Sequence, residues 1–540
     1  MLREGSMQKE RKSLYDLVFY QVYPRSFYDT NGDGIGDLNG VAEKLEYLSD
    51  LGINAIWLSP CYKSPNCDNG YDISDYRDIM DEFGTLSDWE RLIEKAHRYG
   101  IKLIMDLVAN HTSDEHYWFK EARKSRDNPY HDYYYWAEKP LNDWNACFGG
   151  SAWEYNAATD EYYLHSFAVQ QPDLNWTNPR VREEMRAVVD FWVDKGVDGF
   201  RCDVLDHISK DFATGKKFNG PHLHEYIREL FGRNFPRPIF TVGECQSGEK
   251  EITDICGADR HELTCIFQFE HFGVGRGDKF EKLPYAIDEI RDILIKWQSF
   301  TAEHELAYTL FTDNHDQARY ISRLGNDKEF RCECATMYAA MFYLLRGIPF
   351  IYQGQEFGTP DPHYDSIADF NDVETFNYYH EHKAELSEAE LMARINFGSR
   401  DNVRRPMTWT GGKNFGFGDG SPWISLHSRG AEVNAEKDRQ SARSVFRFYQ
   451  DLLRFRKQSE AVRYGTFTDR TNGQKGCFVY ERNFGGQSVG VVCNFDKENC
   501  IEAEFMRDGY ETVLSNYGKT QRAPDGTYAP FETAVFIKRN

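Results

Sequence analysis

Residues 178–204 read NPRVREEMRAVVDFWVDKGVDGFRCDV, and their reading decides the fold class. The first two-thirds repeats apolar residues with helical periodicity and stops at Gly196, a residue that readily adopts the backbone that ends helices. The remainder, GVDGFRCDV, is a short apolar run carrying Arg201 and Asp203 near its carboxyl end. A helix that feeds a buried strand is half of a parallel β/α unit.

The unit recurs along the chain. Comparable runs are LVFYQVYP from Leu17, INAIWLSP from Ile53, IKLIMDLV from Ile101, PIFTVGE from Pro238, LAYTLFTDNHD from Leu306 and IPFIYQGQE from Ile348, with CIFQFEH from Cys265 the weakest member. Between two of them, LSDWERLIEKAHRYG opens on a Ser/Asp cap signal and again ends at Gly. Charged residues gather at the carboxyl ends: Asp106, Arg201, Asp203, Glu244, His315 and Asp316. Both a closed barrel and an open doubly wound sheet put their sites there, so the clustering alone means parallel α/β. Eight runs predict the closed form, an α/β (β/α)8 TIM barrel over residues 1–111 and 179–465. Residues 112–178, rich in Tyr, Trp and Asn, are too long for a loop and predict a small subdomain inserted after the third strand, over the site. From residue 466 to 540 the pattern turns to short alternating strands (GCFVYERNF, QSVGVVCNF, YETVLSNY, TAVFIKRN), predicting a C-terminal antiparallel β-sandwich domain.

Composition narrows the function. A chain of 540 residues, 41% of them hydrophobic, can bury a large core. Its 86 acidic residues against 64 basic ones give a net charge of −22, which repels phosphate backbones and anionic lipid. Neither nucleic acid nor a membrane surface is an expected partner. The 12 cysteines show no regular CxxC pairing, so reduced, mostly buried thiols are expected. The opening MLREGSMQKERKSLYD has no apolar leader core, and no stretch is long and apolar enough to span a bilayer. A cytoplasmic location and a monomer are expected. The 15% aromatic content suits stacking on sugar faces, although large cores also consume aromatics.

Retaining hydrolysis of a glycosidic bond needs two carboxyls about 5 Å apart, one nucleophilic and one protonated at rest. Asp203 and Glu244 end consecutive predicted strands, so that separation is available to them. A strand-end acid alone is as readily a cap or an ion-pair partner; the surrounding motifs separate the two readings. In order along the chain stand DLVANH at Asp106, QPDLNW at Gln171, GFRCD at Gly199, TVGE at Thr241 and FTDNHD at Phe311. On these motifs the chain resembles the α-amylase family of glycoside hydrolases and, within it, the oligo-1,6-glucosidase and dextran glucosidase group.

The resemblance implies a set of roles. Asp203 matches the nucleophile, Glu244 the general acid/base and Asp316 the third carboxylate, which grips the distorted sugar. Arg201, two residues before Asp203 on the same strand face, would keep the nucleophile ionised. His111 and His315 match the two histidines that hydrogen-bond that sugar. Asp68 and Tyr71 in DNGYDISDY match residues that close the pocket, with Tyr71 as the stacking platform. Asp106 is expected to support His111 and the pocket floor. Arg404 in RDNVRRPM matches the arginine that pins the non-reducing end, and a blind pocket of that kind implies exo-action on short substrates. Val204 accompanies α-1,6 preference in this group, where α-1,4 enzymes tend to carry Ala or Thr; a Val also simply suits a buried strand.

Asp29, Asn31, Asp33 and Asp37 in DTNGDGIGDLNG alternate as oxygen donors, a spacing that suits hard cations, but Gly40 stands where an EF-hand needs its bidentate Glu. The resemblance implies one structural Ca2+ or Mg2+ there, with the Ile35 carbonyl contributing, and no organic cofactor; a cation-free turn is the alternative. The expected activity is thus a retaining exo-α-glucosidase acting on α-1,6-linked oligosaccharides. Rivals are an α-1,4-glucosidase, a sucrose-acting relative and a trehalose-6-phosphate hydrolase, the last needing cations such as Lys216, Lys217, His222 or Arg276 for its phosphate. Cys245 and Gln246, after the acid, depart from the group and leave the leaving-group sugar open. A non-catalytic interaction module of the same fold is the remote alternative; it would carry a transmembrane segment and often lack catalytic carboxylates.

Overall fold

A computed structural model of the chain describes residues 13–257, 262–496, 501–502, 509–518 and 527–539. Most of the N-terminal stretch read for a leader (residues 1–12) lies outside the described residues. Eight parallel strands form one sheet: Phe19–Val22, Ala55–Leu58, Lys102–Val108, Gly199–Asp203, Phe240–Gly243, Cys265–Ile266, Thr309–Leu310 and Ile348–Tyr352. Each pairs with its neighbour in the chain except the sixth with the seventh, and the first pairs with the eighth. At the seam between the sixth and seventh, side-chain bonds replace a ladder: Thr309 Oγ1 donates to the Ile266 carbonyl (3.3 Å) and accepts from the Gln268 amide (3.4 Å). That curls the sheet into the expected barrel. Its interior is filled by rings, with Phe19 stacked on Phe350 (4.6 Å) and Trp57 against Phe267 (5.4 Å).

The helices follow the sequence logic with one shift. Helix Leu86–Arg98 is capped by Thr85, which forms a capping box with Asp88, so Ser87 sits inside the first turn rather than at the cap. Gly100 and Gly196, just beyond two helix ends, both take positive φ. Gly199, at the start of the fourth strand, is required for a different reason. A Cβ there would lie 1.9 Å from the Phe240 carbonyl oxygen of the fifth strand. Only the bare backbone lets the two site-bearing strands meet.

Residues 112–178 contain helix Tyr117–Ala122 and a three-stranded antiparallel sheet (Trp136–Ala137, Trp153–Asn156, Glu161–Leu164). At the C-terminal end, five antiparallel strands form one sheet, ordered Thr466–Asp469, Cys477–Phe484, Gln487–Asn494, Thr533–Arg539, Glu511–Ser515. Alternate residues face opposite ways. Phe478 and Tyr480 join the barrel core, the Tyr480 hydroxyl reaching the Ala340 and Met341 carbonyls (3.2 Å each), whereas Cys477 and Val479 join a smaller core with Tyr528. Among the described residues, barrel helix Arg331–Tyr343 packs on one face of this sheet, and Tyr528 of a two-stranded ladder joins the core on the other. Helix Arg331–Tyr343 is accordingly apolar nearly all round, being covered on both sides. The eleven described cysteines are free thiols, and among the described residues no helix is long and apolar enough to cross a membrane.

Candidate active site

Strand register builds the centre of the site. Asp106 on the third strand lies level with Arg201 on the fourth, so both side chains enter the barrel together. Arg201, 2% exposed, donates to Asp106 (2.7 Å) and Asp203 (2.8 Å) through one terminal nitrogen and to Glu244 through the other. Its guanidinium lies over the Trp57 and Tyr71 rings (5.1 and 5.8 Å). Asp106 also accepts from Trp57 Nε1 and the Tyr71 hydroxyl (both 3.1 Å). It therefore supports Arg201 and Tyr71, and no bond links it to His111.

The carboxyls of Asp203 and Glu244 thus stand side by side on the two terminal nitrogens of Arg201. Burial pushes both up from the usual range; Arg201 pulls both down; and the Glu244 charge raises Asp203 further. Burial and their mutual charge therefore disfavour ionising both at once. Exposure separates their functions from that of Asp106. The Glu244 side chain is 25% exposed and that of Asp203 10%, against 0% for Asp106, so only the first two can touch a substrate.

Val204 is not part of the strand. It turns into the left-handed region (φ 33°, ψ 48°), which a β-branched residue rarely enters. The turn brings the next amide, that of Leu205, onto the Glu244 carbonyl (2.9 Å), tying the segment after the nucleophile to the acid. Of the two departures after the acid, Cys245 is buried and only Gln246 is exposed, its amide held by Asp206 (2.8 Å).

On the other flank stand the histidines and the third carboxylate. His315 Nδ1 accepts from the Gln21 amide (2.8 Å), so Nε2 carries the proton and faces both Asp316 (3.0 Å) and the Tyr71 oxygen (2.5 Å). Tyr71 stacks on His315 (5.3 Å, 10° between planes). Burial holds both His315 and His111 in the neutral form, His111 at about 4. Burial alone would raise Asp316, but His315, Arg404 and Arg400 together hold it well below the usual carboxylate range.

Two arginines share the end of the pocket. Arg404 donates to Asp316 (2.7 Å) and to the His315 carbonyl (2.9 Å). The partner of Asp68 is Arg400, at 2.9 Å, and Arg400 also pairs with Asp372 (2.6 Å) and Glu374 (3.3 Å). Arg404, the residue expected to pin the sugar, thus lies on Asp316, while Arg400, four residues earlier in the same segment, is the one that pairs with Asp68. Phe148 of the inserted region covers the Arg400 guanidinium (4.6 Å), and its carbonyl accepts from Asn377 (2.7 Å). Gln171 reaches from the same region to Asp68 and His111 (both 3.1 Å). Lys279 pairs with Glu374 (2.5 Å). Arg400, Phe148, Asp372 and the Lys279–Glu374 pair are the residues that sequence reasoning missed. Counted together, the carboxyls of Asp68, Asp106, Asp203, Glu244, Asp316 and Asp372 outnumber Arg201, Arg400 and Arg404 two to one.

The loop read as a cation site is a self-contained turn. Asp29 accepts the amides of Gly32 (2.7 Å) and Gly34 (3.0 Å), Asn31 that of Asp33 (2.9 Å) and Asp33 that of Ile35 (2.8 Å). Asp37 accepts from Thr30 (2.8 Å) and caps the next helix through Gly40 (2.7 Å). The donor set is all oxygen, as hard cations require. Among the described residues, however, no three acidic, His or Cys groups converge as ligands.

Comparisons with known proteins place the chain in one family. The sequence profile described as the α-amylase catalytic domain matches residues 21–465. An oligo-1,6-glucosidase of Parageobacillus thermoglucosidasius is 42% identical, covering 98% of this chain and 99% of its own. The crystal structure of Bacillus licheniformis trehalose-6-phosphate hydrolase superposes with a TM-score of 0.90 at 37% identity, over 98% of this chain and 100% of the other. That of an isomaltulose synthase from Protaminobacter rubrum gives 0.91 at 36% identity, over 97% and 99%.

Proposed function

The chain belongs to the α-amylase family of glycoside hydrolases, and we propose that it is a retaining, exo-acting α-glucosidase that removes terminal glucose from short α-1,6-linked oligosaccharides. The observation that carries the reading is that the Asp203 and Glu244 carboxyls accept from the two terminal nitrogens of a single guanidinium. Two acids side by side on one guanidinium suit the short separation of a retaining pair better than the wider one that an inverting enzyme keeps for its water. Glu244 protonates the glycosidic oxygen as Asp203 attacks the anomeric carbon, forming a covalent glucosyl ester. Glu244 then takes a proton from the water that releases glucose. The excess of carboxyls over guanidiniums favours the positive charge that develops on the sugar ring.

Exo-action is supported by the Asp68–Arg400–Asp372 network under Phe148, which walls the pocket beyond Asp316. The same anionic excess disfavours a phosphorylated leaving group. The cations nearest to serving one are engaged: Lys217 on the Asn145 carbonyl (2.8 Å), Arg276 on Gln317 (2.7 Å) and His222 with Glu225 (3.2 Å). The proposal includes a structural Ca2+ or Mg2+ on Asp29, Asn31, Asp33, Ile35 and Asp37, distinct from the reacting groups. The test is a hydrolysis panel of isomaltose, panose, maltose, sucrose, trehalose and trehalose-6-phosphate. Isomaltose and panose are expected to turn over fastest, releasing α-glucose first. Far faster turnover of trehalose-6-phosphate overturns the substrate, and release of β-glucose overturns the mechanism.

A further inference from the structure

The ladder between the fourth and fifth strands ends at the pair Cys202 and Gly243. Just beyond it the backbone of the acid is still held. The Glu244 amide donates to the Cys202 carbonyl (2.8 Å), and the Glu244 carbonyl accepts from the Leu205 amide (2.9 Å). Main chain cannot supply the next rung, because the fourth strand has turned away at Val204 into the short helix Leu205–Ile208. A side chain supplies it instead. Asp206 Oδ2 accepts from the Gln246 amide at 2.8 Å, and Asp206 is itself anchored by the Asn219 amide on its carbonyl (3.0 Å). A carboxyl is costly to bury unless a bond offsets the loss of water, and Asp206 is 3% exposed. Burial pushes it up to about 6 against the pull of the Gln246 N–H, so at neutral pH it is an anion and the bond is charge-assisted.

The other contacts of this stretch are long. Gln246 is exposed, and from the side of the sixth strand come only Gln268 Nε2 on the Ser247 carbonyl (3.4 Å) and the Phe269 amide on Ser247 Oγ (3.5 Å). The 2.8 Å bond to Asp206 therefore decides the path of the chain as it leaves Glu244. Arg201 holds the tips of both reacting carboxyls, but not the backbone behind the acid. We infer that Asp206 is a positioning residue: its carboxylate ties the segment after the acid to the segment after the nucleophile, and so sets where the Glu244 proton meets the glycosidic oxygen. The inference rests on the proposed role of Glu244 as general acid.

A misplaced acid slows the departure of a sugar, which needs a proton, far more than that of 4-nitrophenolate, which leaves without one. The test compares kcat/KM for 4-nitrophenyl α-glucoside with that for the panel disaccharide that the wild type cleaves fastest. In a folded Asp206→Ala, the disaccharide is expected to lose about tenfold, a part of what a general acid contributes, while the aryl glucoside stays within about twofold. Asp206→Asn keeps an oxygen for the Gln246 amide and should return the disaccharide to within about threefold of the wild type. An equal loss on both substrates, no loss on either, or an Asn variant as impaired as the Ala one overturns the inference. If Asp206→Ala does not fold, Gln246→Pro removes the other half of the bond from an exposed position. The same selective loss is expected there, and its absence overturns the inference. A wild type that cleaves neither the panel sugars nor the aryl glucoside removes the general-acid reading of Glu244 and the inference with it. Unselective losses in an active enzyme remove the inference alone.

Discussion

Val204 is the residue at which linkage preference can be tested most directly. It follows the nucleophile, stands half-buried beside Glu244, and is held at φ 33°, a conformation that costs about 1–3 kcal/mol for a branched side chain. Val204→Ala removes two methyl groups and leaves the backbone in place. Each buried carbon is worth about 0.8 kcal/mol, so contact of the two methyls with a leaving sugar is worth about 0.8–1.6 kcal/mol, depending on how far the sugar covers them. That converts to about a 4- to 15-fold fall in the ratio of kcat/KM for isomaltose to that for maltose. Initial rates on the two disaccharides, measured on one preparation, provide the assay. Val204→Gly serves as the control, because it deletes the same methyls and also releases the strained turn. It is expected to match the Ala variant in ratio but to lose kcat on both sugars, since the turn that joins the nucleophile's strand to Glu244 through the Leu205 amide is no longer held. A ratio unchanged within about twofold in Val204→Ala would refute the assignment of linkage preference to this side chain.

Three further outcomes are expected. Asp203→Asn and Glu244→Gln should each lose at least about three orders of magnitude in turnover while melting no lower than the wild type, since each removes one charge from an anionic cluster; near-normal turnover in either sinks the mechanism. Glu356 is fully buried, accepts from the Tyr20 and Tyr47 hydroxyls (2.9 Å each), and is pushed by burial from 4.5 up to about 7. Below 4.5 both folded and unfolded chains hold its proton; between 4.5 and about 7 only the folded chain does, so stability falls across that window and the full cost, about 3 kcal/mol, applies above it. Glu356→Gln should therefore raise the melting temperature at pH 8 and leave it nearly unchanged at pH 4.5, and an equal shift at both contradicts the assignment. Finally, metal analysis of the purified protein should find about one Ca2+ or Mg2+ per chain, and its removal by chelation should lower the melting temperature with recovery on adding Ca2+; a metal-free protein whose melting is indifferent to both identifies the Asp29–Asp37 loop as a plain turn.

The barrel and the reacting pair were legible in the sequence because both depend on short-range pattern. An apolar run of four to eight residues with a charge at its carboxyl end states its own place in a (β/α)8 barrel, and parallel register then brings Asp106, Arg201 and Asp203 to one level. What was not legible depends on where segments with no periodicity come to rest. RDNVRRPM offers three arginines within six residues, and nothing in their spacing says which meets Asp68. The choice of Arg400 is made by the short helix Arg400–Asn402 and by Asp372 and Glu374, from a segment that carries no pattern of its own. Val204 misled for a related reason. A branched residue after a strand reads as more strand, whereas the backbone here turns left-handed and the next amide, Leu205, donates to the Glu244 carbonyl (2.9 Å).

The inserted region shows the same limit from the other side. Its composition announced an aromatic-rich lobe over the site but not its three points of entry: Phe148 over Arg400, Gln171 between Asp68 and His111, and Asp173 on Lys210. These contacts are long-range in sequence and chemically unlike one another, a ring on a cation, an amide between two acceptors and a buried ion pair. The pocket is therefore a joint product. The barrel supplies the carboxyls that react, and the insertion fixes the groups that hold the sugar against them, so changes in the insertion should alter substrate choice while leaving the double displacement intact.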